Sequence, residues 1–234
     1  MKLWREAFQR TVPVMCGYLV VGVAFGLLLE DAGYGVLWAF LISCVVYAGS
    51  MQFVLVSFLT GSLSFLSMAL TTLAVNCRHL FYGLSFLDEF QQMGAKKPYM
   101  IFSLTDETYS LLCSMKGEER PDKAKLSFLM SLFDQSYWVA GSVLGSLAGN
   151  LIPFDLTGID FAMTALFVVI FLEQWLSNGG RRSALIGLGC GAASLLLLGP
   201  DGFLLPALVS SVALLLITGG KDAGNSSNGK GETA

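Results

Sequence analysis

Long apolar runs separated by short polar breaks dominate this chain. Residues 12–29, 35–59, 62–87, 99–115, 126–149, 159–176, 183–199 and 202–218 form eight such runs, each near the roughly 20 residues that a helix needs to cross the hydrocarbon core. The pattern predicts an all-α protein, a polytopic transmembrane helical bundle of seven or eight spans, with the transmembrane domain over residues 1–218. Residues 219–234 are rich in Gly, Asn, Ser and Lys. They carry too little apolar surface to fold and are expected to form a disordered cytoplasmic tail.

Charge sets the orientation. Lys2, Arg5 and Arg10 precede the first run and no small-residue cleavage site follows it, so the first helix is read as retained with a cytoplasmic N-terminus. With eight spans, Lys116, Arg120, Lys123, Lys125, Arg181 and Arg182 then fall on the cytoplasmic side, and Glu30 and Asp31 fall outside. Lys96 and Lys97 disagree unless residues 99–115 are re-entrant, which would leave seven spans. The later basic loops favour eight.

Composition narrows the chemistry. Of 234 residues, 54% are hydrophobic and 13% charged, which leaves almost nothing for a soluble domain. The net charge of −3 comes without a basic patch, so nucleic acid is not an expected partner. Five cysteines lie scattered in apolar runs beside a single histidine, an unpromising set for a metal site or a disulfide frame. No catalytic set and no phosphate-binding loop occur, so an enzyme is not expected and no cofactor is implied.

The third run carries Arg78 and His79 near its middle. An arginine at the centre of a membrane helix costs about 2.5–3.5 kcal/mol on insertion scales, so it normally faces a polar cavity or a partner charge. His79 is a candidate proton carrier or a hydrogen-bonded structural residue. In the fourth run Ser103, Asp106, Glu107, Ser110, Cys113 and Ser114 recur at helical spacing, opposite Ile101, Leu104, Leu111, Leu112 and Met115. This predicts one amphipathic helix. It either lies at the interface or brings Asp106 or Glu107 into the bundle as a counter-charge to Arg78 or as a proton carrier.

The fifth run places Ser131, Asp134 and Trp138 on one face, continued by Gly141, Gly145 and Gly149. Small residues at this spacing form a close packing surface, and Asp134 is a candidate for an ammonium group or a proton. At the centre of the second run, Tyr47-Ala48-Gly49-Ser50-Met51-Gln52-Phe53 offers a site for local unwinding, where free backbone groups can meet a small zwitterion. A packing notch with Gln52 bonded across helices is the alternative.

Gly22, Gly26, Gly35 and Gln52 recur as Gly145, Gly149, Gly158 and Gln174 some 122–123 residues later. This raises a possible internal repeat of residues 12–115 and 126–218.

Several blocks, in order, resemble the AzlC family: Gly17-Tyr18 with Gly22-Val23-Ala24-Phe25-Gly26, the Tyr47–Phe53 block, Val75-Asn76-Cys77-Arg78-His79 with Tyr82-Gly83, Asp134-Gln135-Ser136-Tyr137-Trp138 with Gly141, and Gly158-Ile159-Asp160-Phe161-Ala162. The resemblance runs over most of the chain, with Met51 and Cys77 as minor departures. It implies the large subunit of a branched-chain amino acid permease or exporter in a bacterial cytoplasmic membrane. The expected cargo is valine, leucine, isoleucine and methionine, driven by the proton-motive force, with a small AzlD-like membrane subunit as partner. On this reading Arg78, Asn76, Tyr47, Gln52, Gly49 and Ser50 bind substrate, and Asp106, Glu107, Asp134 and His79 couple protons. A passive channel, or a non-transporting subunit whose buried charges dock a partner, are the competing readings.

Overall fold

The computed structural model describes residues 2–61, 64–115, 117–118, 120–151 and 180–199, with residues 161, 168, 171–172, 175–176, 203, 206–207, 209–211, 213–215 and 217. Every element among them is helical. Most of the expected run over residues 159–176, parts of the run over 202–218, and the tail lie outside the described residues. The chain divides into two compact units, residues 1–68 with 75–165 and residues 69–74 with 166–234.

In the first unit, α1 (Lys2–Asp31) carries the first apolar run. It ends where Gly33 takes a φ of +84° and the Gly33 and Tyr34 N–H groups cap the Glu30 and Leu29 carbonyls. The second run is two helices, α2 (Val36–Val45) and α3 (Gly49–Thr60). Next come α4 (Phe65–Ser85), capped by the Ser64 hydroxyl, and the short α5 (Leu87–Gln91). The fourth run is also two helices, α6 (Lys97–Phe102) and α7 (Asp106–Ser114), and the fifth is the long α8 (Lys123–Leu151). The second unit contains α9 (Gly180–Leu198). Among the described residues, Lys2–Asp31 and Arg181–Leu198 are long and apolar enough to cross a membrane, and Val36–Val45 and Gly49–Thr60 are apolar but shorter.

The fourth run corrects the expectation of one amphipathic helix. Thr105 is extended and its side chain accepts the Thr108 N–H, so a new helix starts there, with Asp106 and Glu107 in its first turn. An N-cap threonine followed by two acids is a helix start. Ser103, before the break, is buried rather than part of a continuous polar face.

Packing centres on α1 against α8. Gly22 and Gly26 of α1 meet Gly141, Ser142 and Gly145 of α8 backbone to backbone, without side chains between them. Glycines that suggested a repeat, Gly22, Gly26 and Gly145, are thus partners in one helix crossing. The Ser146 hydroxyl donates to Glu30 toward the far end of the pair. At the near end a buried cluster including Ala7, Phe86, Phe90, Met100, Leu104, Leu112, Met115, Leu126 and Met130 ties α4–α8 to the start of α1. That cluster fixes where α7 begins.

Beside the cluster, and before the first apolar run, Arg10 pairs with Glu6 and Glu118, and Arg120 with Glu6 and Asp122. Hydrogen bonds from Arg120 hold the Glu6 and Asp122 carboxyls below the usual range, and Arg10 does the same for Glu118. A carboxyl whose pKa is lowered on folding stabilises fully above its unfolded value, near 4, and loses that contribution as pH falls through the folded value. We therefore expect the melting temperature to fall as pH drops below about 4. Glu118→Gln at neutral pH should reproduce part of the drop, and high salt should shrink the difference. Thermal melts in detergent across pH check this.

Candidate functional site

Two breaks in apolar runs shape the site. Between α2 and α3, Tyr47 takes a φ of +37°, the only positive value at a non-glycine among the described residues. Its ring is buried at the break. Gly49 opens α3 because Trp138 of α8 lies against it: a Cβ there would stand 3.2 Å from the indole ring. Trp138 itself packs edge-on to Tyr18 and stacks on Phe25, both of α1.

Arg78, on α4, joins the two breaks. One terminal nitrogen lies 2.7 Å from Asp106 Oδ2, in the first turn of α7. The other donates to Ser50 Oγ, in the first turn of α3, at 2.6 Å. One guanidinium thus bridges the N-termini of two half-helices, whose free N–H groups carry partial positive charge. Both ionic side chains are a little over a quarter exposed, at 27% and 29%, which leaves the pair open on one side.

Several buried polar atoms have no hydrogen-bond partner among the described residues. They include Arg78 Nε, Asp106 Oδ1, Asn76 Oδ1, Gln52 Oε1 and the Tyr47 hydroxyl. Gln52, fully buried, uses its amide nitrogen to donate to Ser43 of α2 at 3.3 Å. An unpaired buried polar atom costs about 1–3 kcal/mol, so Arg78 Nε and Asp106 Oδ1, both on the ion pair, mark a site that a polar ligand or water completes.

His79 follows Arg78 on α4. Its Nδ1 meets the Asn76 carbonyl oxygen at 3.2 Å and its ring sits edge-on to Tyr82. Glu107, next to Asp106 in the first turn of α7, and Asp134 are joined by a chain of hydroxyls. The Tyr18 hydroxyl donates to Glu107 Oε2 at 2.7 Å and meets Thr105 Oγ1 at 2.6 Å. Thr105 Oγ1 reaches Thr108 Oγ1 at 3.1 Å, and Thr108 Oγ1 donates to Asp134 Oδ2 at 2.8 Å. Asp134 is fully buried, whereas Glu107 is exposed. A groove of about 460 Å³ lined by Cys44, Gln135 and Val139 includes none of these residues in its wall.

Of the residues singled out in the sequence, Arg78, Ser50 and Asp106 come together directly, and Glu107 and Asp134 are linked through hydroxyls. Tyr18, Thr105, Thr108 and Trp138 complete the site and were not singled out as site residues. The sequence signal for Thr105 was there to be used: a threonine before an acidic pair in an apolar run marks a helix start, and so a break.

The comparisons with known proteins bear on the same residues. The family described as AzlC protein matches residues 13–152. The chain belongs to the AzlC family. It is 39% identical to the branched-chain amino acid transport protein AzlC of Bacillus subtilis, over 92% of this chain and 84% of that one. An uncharacterized membrane protein of Helicobacter pylori strain J99 is 37% identical over 93% and 95% of the two chains. The inner membrane protein YgaZ of Escherichia coli is 27% identical over 77% and 75%. No solved structure matches. Membership of this family supports a membrane location and a role in membrane transport, and the matched residues 13–152 contain both helix breaks and the Arg78–Asp106 pair.

Proposed function

We propose that this chain is the large subunit of a secondary transporter that exports hydrophobic amino acids, namely valine, leucine, isoleucine and methionine. It works in the bacterial cytoplasmic membrane with its N-terminus inside, driven by the proton-motive force and assembled with a small AzlD-like membrane subunit. The observation that carries the reading is the open Arg78–Asp106 ion pair set between two half-helix N-termini.

An amino acid backbone is a zwitterion, and the ion pair is its complement. The substrate carboxylate takes Arg78 and the N–H groups opening α3 and α7. Arg78 is then released from Asp106, which accepts the ammonium group. The substrate thus inserts into the pair without leaving a net charge unpaired, which keeps its desolvation cost down. Asn76, Gln52 and Tyr47 supply the remaining hydrogen bonds, and Gly49 and Ser50 keep the backbone open. Asp134 and Glu107 carry the coupling proton. One charge moved through about 100 mV supplies roughly 2.3 kcal/mol, enough for close to a fifty-fold gradient at about 1.4 kcal/mol per decade. The substrate range is also supported by the name of the Bacillus subtilis relative, a branched-chain amino acid transport protein.

The test is valine counterflow in liposomes holding this chain with its small membrane partner. Saturable exchange is expected, competed by leucine, isoleucine and methionine and untouched by lysine or glutamate. Flux that never saturates would instead describe a channel. Absence of flux, with the complex intact, would describe a docking subunit.

A further inference from the structure

The hydroxyl chain between Glu107 and Asp134 can be counted. It has four links: Glu107–Tyr18, Tyr18–Thr105, Thr105–Thr108 and Thr108–Asp134. Each link needs one proton, and the three hydroxyls supply three. With both acids ionised, one link lacks a proton and two oxygens face each other bare. With both acids protonated, there is one proton too many. The chain is complete only with a single extra proton on one of its two ends. We propose that Glu107 and Asp134 share one proton through Tyr18, Thr105 and Thr108, with Glu107 as the open port and Asp134 as the buried terminus.

The stereochemistry supports either direction. Thr105 Oγ1 already accepts the Thr108 backbone N–H at 3.3 Å, so it has one remaining lone pair and one proton. It donates to Thr108 while accepting from Tyr18, or the reverse, and is saturated both ways. In a transfer, Glu107 gives its proton to the Tyr18 oxygen, Tyr18 gives its own to Thr105, Thr105 to Thr108, and Thr108 to Asp134. Glu107 ends ionised, Asp134 ends protonated, and each hydroxyl keeps one proton. Tyr18, Thr105 and Thr108 are all 6% exposed or less, so water does not short-circuit the chain at those hydroxyls. Asp134 Oδ1 has no partner among the described residues, which leaves its lone pairs free for a hydrogen-bond donor such as water or an ammonium group.

The groups facing the chain come from every packed element. Arg78 of α4 and Asp106 of α7 flank Glu107. Asp134 acts electrostatically on Tyr47 of the α2–α3 break, Tyr99 of α6 and Tyr137 of α8, while Tyr99 donates to Gln135 and Tyr137 meets Thr11. Arg78 and Asp106 balance each other, so the proton on the hydroxyl chain is read by the substrate site next to it. When substrate takes Arg78 and brings its ammonium group to Asp106, the charges beside Glu107 are rearranged and the position of the shared proton responds. This coupling rests on the transport reading above; the proton count does not.

Two measurements separate the claims. Infrared spectra of the purified complex, wild type minus the Glu107→Gln/Asp134→Asn variant, should show the carbonyl stretch of one protonated carboxyl at neutral pH. Zero or two would overturn the shared proton, whatever the protein transports. In liposomes with an imposed pH gradient, Thr108→Val should cut the gradient-driven valine flux by about a hundredfold, the scale of a lost proton-transfer group. Thr108→Ser should restore it. Tyr18→Phe cuts the same chain at another link and keeps the ring against Trp138, so it should match Thr108→Val. A wild-type gradient response in both hydroxyl-deleted variants, or equal loss in Thr108→Ser, would overturn the relay. A wild type with no valine exchange would remove the transport reading and leave the infrared count to decide the shared proton.

Discussion

Gly145→Val and Gly26→Val, made singly, are each expected to leave little folded protein in the membrane. A Cβ at Gly26 would fall on the Ser142 carbonyl oxygen, and one at Gly145 on that of Val23. Both obstacles are backbone atoms of a facing helix and cannot swing aside. Either the helices part or the crossing slides. Overpacking a tight core costs about 1–3 kcal/mol, and more where nothing relaxes. In lipid the contact has no hydrophobic drive to compensate, since its stability comes from close packing itself. The loss strikes the largest helix pair of the first unit and takes with it Tyr18 and Trp138, which sit on that crossing. Gly22→Ala and Gly141→Ala meet backbone at 3.0–3.2 Å and should be milder. Gly17→Ala, exposed with nothing within 4 Å of a Cβ, is the control and should be neutral or slightly stabilising. Yield of monodisperse protein from the membrane fraction, with thermal melts, measures the series.

Arg78→Ala should have the opposite signature: protein present, function gone. The pair is only partly buried, so water can reach Asp106 and the effect on folding is modest. For the substrate, the loss is the whole carboxylate anchor and the bridge between α3 and α7. Truncating one partner of a desolvated charge pair costs about 2–5 kcal/mol, so transport should drop by about thirtyfold or more. Arg78→Lys keeps the charge but cannot reach Ser50 and Asp106 with two separate nitrogens, and should retain partial flux. Exchanging the two residues, Arg78→Asp with Asp106→Arg, separates recognition from scaffolding. If the pair is only a structural brace, the exchange restores function. If the pair reads a substrate with a fixed orientation, protein abundance recovers and flux does not.

How much of this was legible in the chain depends on the physical signal each feature leaves. The first, third and fifth apolar runs correspond to the long helices α1, α4 and α8, and of these three, among the described residues, α1 is the one that is long and apolar enough to cross a membrane by length and composition. The break in the second run was also visible: Gly49-Ser50 beside Tyr47 is a weak point in any helix, and α2 ends at Val45 before α3 opens at Gly49. The break in the fourth run was not read, because the spacing of Ser103, Asp106 and Ser110 suits a helix as well as it suits two half-helices. Only the Thr105 cap distinguishes them. That Arg78 meets an acid follows from the cost of an unpaired charge in lipid, but its choice of Asp106 over Asp134 does not, since both lie in apolar runs at similar depth. Tyr18, Thr105 and Thr108 escaped notice for a simpler reason. A hydroxyl in a membrane helix is unremarkable until the acids at either end of its chain are placed in space. The glycines shared by α1 and α8, which the sequence also offers as a possible repeat, pack as complementary faces of two helices.

The central claim is that an energised amino acid flux runs through the Arg78–Asp106 site. Its most direct test is efflux from cells preloaded with valine- and methionine-containing dipeptides, expressing this chain with its small membrane partner. Efflux is followed with and without an uncoupler and compared with Arg78→Ala at matched membrane abundance. The account predicts efflux above that of empty-vector cells, abolished by the uncoupler and lost in the variant. Efflux equal to that of empty-vector cells with the complex present, or efflux that Arg78→Ala leaves intact, would contradict it.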